Sequence, residues 1–192
     1  MKEIALHLLD IAENSIAAGA TTVEIRVEED SARNCLRLTV QDDGRGMDAE
    51  RLAAVGDPFV TSRTTRVAGL GVPLLKAAAE ACNGRLDVRS APGQGTVLIA
   101  EFQRDHIDRM PLGDLEGSLL GLVVGSPEIH WRFQYRVDGR TFCFDTDPVR
   151  QALGEVPLSA PAALKWIRET LREGMREARG PVVEIQHAGG KR

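Results

Sequence analysis

Gln41-Asp42-Asp43-Gly44-Arg45-Gly46-Met47 follows a β-like run, Leu36-Arg37-Leu38-Thr39-Val40, and precedes a helix-like run from Asp48. An acid followed by alternating glycines at a strand exit is a backbone able to approach a ligand closely. Glycine accepts positive φ and has no Cβ in the way. Asp42 supplies an acceptor at the floor of such a site. The same residues also make a tight turn with a helix cap, so the flanking sequence decides between the two.

Upstream, residues 2–18 read as a helix. Ile4, Leu8, Ile11 and Ser15 recur at spacings of four and three, widened by Ala5, Leu9, Ala12 and Ile16. Glu3, His7, Asp10 and Asn14 form a polar row on another face, expected to be solvated except at its Asp10–Asn14 end, where a metal or phosphate contact is plausible. Gly19 stops the helix. Residues 22–29 and 35–41 alternate and predict a strand hairpin, with Val23, Ile25 and Val27 inward.

Downstream, a short helix is expected over about 48–54. Then Thr61, Ser62, Arg63, Thr64, Thr65 and Arg66 lie in a loop ending in Gly69-Leu70-Gly71. Helix 72–82 follows, with Pro73 in its first turn. Hydroxyls, guanidinium groups, glycine amides and a helix start together suit an anion, and phosphate is the natural guest. Strands at 85–90 and 96–102, joined by Ala91-Pro92-Gly93-Gln94-Gly95, complete an α-β-β-α-loop-α-β-β order. That order predicts an α/β (α+β) sandwich, a mixed sheet with helices on one face.

Composition narrows the class. The 192 residues are 43% hydrophobic and 27% charged, a soluble globular balance rather than a disordered one. A net charge of −4 argues against a nucleic-acid binder that works by charge alone. No apolar run approaches the roughly 20 residues that span a bilayer, and no signal peptide is read at the N-terminus. Cys35, Cys82 and Cys143 are odd in number and widely spaced, which fits reduced packing residues in a cytoplasmic protein.

These segments resemble the GHKL superfamily: gyrase-type topoisomerases, heat-shock chaperones, sensor histidine kinases and MutL-type repair proteins, which share the Bergerat ATP-binding fold. Ile11-Ala12-Glu13-Asn14-Ser15-Ile16-Ala17-Ala18-Gly19-Ala20-Thr21 is similar to the helical Asn box in its MutL-like form. Asp42-Asp43-Gly44-Arg45-Gly46 is similar to the first glycine box, and Asp57-Pro58-Phe59-Val60-Thr61-Ser62-Arg63 to the segment before the lid in histidine kinases. Gly69-Leu70-Gly71-Val72 resembles the second glycine box and Gly93-Gln94-Gly95-Thr96 the last. The resemblance covers residues 1–103, expected to be the ATP-binding domain, with 104–192 a C-terminal α+β extension.

The resemblance implies ATP and Mg²⁺ as ligands. It makes Asn14 the Mg²⁺ ligand and Asp42 the acceptor for the adenine amino group. Gly44 and Gly46 close on the base, and Thr96 supports Asp42 and a base-bound water. Gly69, Leu70, Gly71 and Val72 present the helix start to the phosphates. Thr61, Ser62, Arg63 and Arg66 belong to a closing lid. Asp10 takes the general-base position, one methylene shorter than the glutamate of MutL and gyrase relatives.

Histidine kinases carry a dimerisation and phospho-acceptor domain before this fold, and the sequence opens directly on the Asn-box helix. The implied activity is therefore that of a stand-alone kinase or slow ATPase working with an acceptor or partner on another chain, as in anti-sigma-factor serine kinases. The alternative is a nucleotide-sensing module that does not hydrolyse and docks a partner through its C-terminal half. A homodimer is compatible with either; a membrane or nucleic-acid partner is not expected.

In residues 104–192, a linker leads to a helix over 113–124. A hairpin follows, Trp131–Val137 turning at Asp138-Gly139 into Arg140–Phe144. A short helix capped by Asp147, a longer helix over 161–178 and a strand at Val182–Ile185 complete the reading. The ring-rich hairpin is read as a small second core, with a docking surface of partly exposed Trp131, Phe133 and Tyr135 as the other option.

Overall fold

The computed structural model describes residues 3–55 and 71–181. Helix α1 (Ile4–Ala17) buries Ile4, Leu8, Ile11 and Ser15, the stripe that its periodicity predicts. Its N-cap, Glu3, makes no side-chain capping bond. Instead, the Ile4 and Ala5 N–H groups donate to the Pro111 and Leu112 carbonyls at 3.0 and 2.9 Å. The linker thereby satisfies two of the donors that every helix start leaves open.

Strands β1 (Thr22–Asp30) and β2 (Cys35–Asp42) form the antiparallel hairpin, with Val23 opposite Asp42. Helix α2 (Ala49–Ala54) is capped by Asp48, which accepts from the Arg51 N–H, and α3 (Gly71–Glu80) follows. Strands β3 (Arg85–Ser90) and β4 (Thr96–Gln103) pair antiparallel, and β4 also pairs with β2. Helix α4 (Leu115–Gly125) precedes β5 (His130–Val137) and β6 (Arg140–Asp145), and the chain ends in α5 (Thr146–Leu153) and α6 (Pro161–Arg179).

All six strands make one sheet, in the order β3-β4-β2-β1-β5-β6. Strand β5 lies parallel to β1 and β6 antiparallel to β5. The alternation is kept across every pairing. Val23, Ile25 and Val27 align with the inward residues of β2, and with Trp131, Phe133 and Tyr135 of β5. Those three rings are buried and belong to one apolar cluster with Ile4, Leu8, Leu38, Phe102 and Ile167. The hairpin therefore extends the existing core instead of forming a second one, and its rings are not a docking surface.

Helices α1, α3, α4 and α6 cover that inward face. The other face carries charge in register: Arg37 bonds Glu101 at 2.7 Å, Arg136 reaches Glu28 at 3.2 Å and Arg132 reaches Glu24 at 3.6 Å. An antiparallel sheet with one wet face needs this hydrophobic-in, polar-out alternation. The sheet is mixed and its helices lie to one side, as the sequence predicts.

Element ends differ from the sequence reading by a residue or two. One difference has a clear cause. Asp145, not Asp147, caps α5, because its carboxylate accepts the Asp147 N–H at 2.9 Å and the helix starts at Thr146. The strand expected at Val182–Ile185 lies outside the described residues.

A buried aspartate at the end of the sheet: the candidate nucleotide site

The candidate site is built where β2 ends, β4 begins and α1 passes over both. Asp42 is the last residue of β2 and is on the inward face, 9% exposed. Its Oδ1 accepts the Gly44 N–H at 3.0 Å and the Thr96 N–H at 3.2 Å. Its Oδ2 accepts the Ser15 hydroxyl at 2.8 Å. A carboxylate offers about four acceptor positions. Three are used here, leaving one on Oδ2 for a further donor.

Ser15 is the residue that sequence reasoning missed. Its spacing from Ile11 put it on the apolar stripe, and it is indeed buried, but its hydroxyl is turned to Asp42. The one signal for it in the sequence is a hydroxyl among aliphatic positions directly after Asn14. Thr96 reaches Asp42 through its backbone. Its main-chain N–H meets Asp42, while its hydroxyl lies 3.1 Å from the Ser90 hydroxyl. Ser90 Oγ in turn donates to the Gly95 carbonyl and accepts the Met47 N–H, tying the glycine turn to the β3–β4 turn.

Asp43 points elsewhere. It accepts the Thr21 and Thr22 N–H groups at 2.7 and 2.8 Å and the Thr21 hydroxyl at 2.6 Å. Burial works against its ionisation, but these bonds prevail and hold the Asp43 carboxyl below its ordinary range. Asp43 is thus a clamp between the glycine turn and the start of β1.

The glycines are required by space as well as by dihedral. Gly46 has φ +66°, and a Cβ there would fall on the Ala91 carbonyl oxygen. Gly95 has φ +71°, and its Cβ would fall on the Asp42 carbonyl oxygen. Gly44 is tight rather than blocked: its Cβ position is 3.0 Å from Ala18 Cβ and 3.1 Å from Asp42 Oδ1. The turn is closed by Arg45 N–H to Ala18 O at 3.0 Å and Gly93 N–H to Arg45 O at 2.8 Å.

The opposite side of the site is the α1–α3 seam. Asp10 and Asn14 are both half-buried on α1, one turn apart. Among the described residues the Asn14 carboxamide makes no hydrogen bond to another side chain. Gly71 opens α3 directly against Asp10: a Cβ on Gly71 would lie 2.9 Å from Asp10 Cβ and 3.0 Å from Oδ2. Val72 is half-buried beside it. His7, expected to be solvated, is instead buried, 2% exposed, because α3 packs over this part of the polar row. Thr61, Ser62, Arg63, Arg66, Gly69 and Leu70 lie outside the described residues.

One other cluster stands out. The side chains of His130, Asp145 and Asp147 converge within 4.8 Å. Asp145 is already the α5 cap and Asp147 pairs with Arg150 at 2.8 Å. This corner holds β5, β6 and α5 together.

An α/β sandwich with a buried aspartate at a glycine turn, held by two main-chain donors and by Ser15 of the first helix, is the arrangement of the GHKL class of ATPase domain. The sequence model of the family described as "Histidine kinase-, DNA gyrase B-, and HSP90-like ATPase" matches residues 2–106, and the chain belongs to that family. It is 43% identical over 89 residues to the sensor protein kinase FleS of Pseudomonas aeruginosa, a match covering 46% of this chain and 22% of that protein. It is 32% identical over 128 residues to the DNA mismatch repair protein MutL of Thermus thermophilus, covering 58% of this chain and 22% of that one. The chain thus spans about a fifth of the length of these curated relatives. A crystal structure of the N-terminal domain of a DNA repair protein superposes with a TM-score of 0.56 at 13% identity, covering 76% of this chain and 53% of that one, and so shares its fold. Among the described residues no helix is long and apolar enough to cross a membrane.

Proposed function

We propose that the chain binds Mg-ATP at the sheet end and transfers its γ-phosphate to a separate protein or, slowly, to water. The observation that carries this reading is Asp42. It is an almost fully covered carboxylate held by three donors with one acceptor position left over. A buried charge is costly without partners, and the vacant position suits the exocyclic amino group of adenine. Gly44, Gly46 and Gly95 keep the approach to it free of side chains. Asn14 would hold Mg²⁺, since a carboxamide oxygen is a hard ligand suited to that ion. The ion would neutralise phosphate charge during transfer. Gly71 and Val72, with Gly69 and Leu70, would offer the helix start to the phosphates, and Thr61, Ser62, Arg63 and Arg66 would close over them.

Asp10 is the general-base candidate, and its position supports a second reading. Its side chain is short and leans on Gly71, whereas a base must come within hydrogen-bond reach of its water. A module that binds nucleotide without hydrolysis, and reports the occupied state to a partner through residues 104–192, needs Asn14 and Asp42 but not Asp10. Release and transfer of label from γ-labelled ATP, measured for the parent and for Asp10→Asn, separates the two. Turnover that falls about 100-fold or more in the variant, the lower end of a general base's usual worth, supports the enzyme. Nucleotide binding without turnover in either protein supports the sensing module.

A further inference from the structure

Ser90 ends β3 and lies in one row of the sheet with Thr96 and Asp42. It pairs with Thr96, and Thr96 pairs with Asp42. Directly opposed residues of paired strands share a face, with Cβ atoms about 4.5–5.5 Å apart. The row therefore sets two hydroxyls beside the Asp42 carboxylate on the inward face. Both Ser90 and Thr96 are half-buried, so this end of the row is open to a ligand.

The protons of the row can be counted. A hydroxyl has one proton and two acceptor positions. Ser90 Oγ lies 2.8 Å from the Gly95 carbonyl oxygen, which can only accept, and 2.9 Å from the Met47 N–H, which can only donate. Its proton goes to the carbonyl, and one lone pair takes the N–H. The other lone pair faces Thr96 Oγ1 at 3.1 Å, so the Thr96 hydroxyl is the donor of that bond. With its proton held by Ser90, Thr96 Oγ1 offers only lone pairs to whatever enters beside Asp42. The Thr96 main chain adds no donor, because its N–H is bound to Asp42 Oδ1 at 3.2 Å. Asp42 and Thr96 thus present acceptors alone. Without the Ser90 oxygen, the Thr96 hydroxyl could rotate and donate.

We propose that Ser90 is a positioning residue that determines base specificity. By holding the Thr96 proton it makes the pocket favour an amino group at the base edge and disfavour a carbonyl oxygen. This rests on the nucleotide reading above and gives the discrimination a second source besides Asp42.

The test is titration of the full chain with Mg-ATP and Mg-ITP, for the parent, Ser90→Ala, Ser90→Thr, Thr96→Val and the Ser90→Ala/Thr96→Val double variant. The quantity read is the ratio of the two affinities. A residue that merely braces the turns would, when removed, weaken both nucleotides alike and leave that ratio alone. In Ser90→Ala the preference for ATP should fall roughly three- to tenfold, about one neutral hydrogen bond, as the released hydroxyl donates to the hypoxanthine oxygen. Ser90→Thr keeps the hydroxyl and should keep the parent preference. Thr96→Val has no hydroxyl to turn, so adding Ser90→Ala to it should leave its ratio unchanged. An unaltered preference in Ser90→Ala, or a change of the same size with and without the Thr96 hydroxyl, overturns the proposal. If Ser90→Ala does not fold, Ser90→Cys, whose thiol is a weak partner, is read by the same ratio. A parent that binds neither nucleotide removes the nucleotide reading and this proposal with it, a result distinct from a parent whose preference for ATP Ser90 does not alter.

Discussion

Replacing Asp42 by asparagine should reverse the base preference of the site at little cost to the fold. In the parent, Oδ1 accepts from two main-chain N–H groups, which can only donate. The asparagine oxygen must therefore take that side, and its NH₂ must take the place of Oδ2. Ser15 can adapt. Its hydroxyl can accept from the new NH₂ and give its own proton to the Ile11 carbonyl, 3.4 Å away. The protein side thus keeps its bonds, and stability should fall by about 1 kcal/mol or less. The base side does not. An adenine amino group that met a carboxylate oxygen now meets an N–H. A hydrogen bond to a charged group is worth about 1.5–3 kcal/mol, so ATP affinity should fall roughly 10- to 150-fold. Hypoxanthine carries an oxygen where adenine carries its amino group, so inosine triphosphate should bind the variant better than it binds the parent. Isothermal titration of both proteins with Mg-ATP and Mg-ITP, beside thermal melts, checks each part. Unchanged ATP affinity in Asp42→Asn, or equal loss of both nucleotides at an unchanged melting temperature, refutes the assignment of Asp42 as the adenine reader.

Other consequences follow from the neighbouring contacts. Asp43→Ala removes three hydrogen bonds between the glycine turn and β1 and should cost about 1–2 kcal/mol at pH 7 by thermal or denaturant melts, the carboxylate being exposed. The Asp43 carboxyl is held below its unfolded value of 3.8, so its contribution is complete above that pH and lost as pH falls through the lower folded value. The gap between parent and variant should be constant from pH 7 to about pH 5 and shrink only below pH 4. Tyr135 is fully buried, its hydroxyl donating to Glu29 at 2.6 Å and accepting from Arg179 at 3.0 Å. Burial first, then the Glu29 bond, push its pKa up to about 12. Tyr135→Phe leaves both charged partners short of a bond and should cost about 1–3 kcal/mol in urea melts, with nucleotide affinity unaltered.

Strands and most helices were legible because each carries its own period. β1 and β5 alternate strictly, and the Asp138-Gly139 turn announces the β5–β6 hairpin locally. The place of that hairpin in the molecule was not legible. β5 joins the edge of β1 in parallel, a pairing between segments far apart in the chain, and alternation alone says only that one face is buried. His7 shows the same limit on a helix. A polar row at helical spacing reads as solvated until a second helix is known to cross it, and α3 does so. At the site, Asp42 and the glycines could be picked out by type and order. Ser15 and the main-chain N–H of Thr96 could not, since a hydroxyl on an apolar stripe and a backbone donor carry no signature of the partner they will meet.

The central claim is that the pocket at Asp42 takes an adenine nucleotide. Titrating the parent chain with Mg-ATP and with Mg-GTP in the same buffer tests it most directly. Saturable one-to-one binding of ATP is predicted, with GTP at least tenfold weaker, because guanine sets an oxygen against the carboxylate where adenine sets a donor. No saturable binding of ATP, or equal affinity for the two nucleotides, would contradict the account.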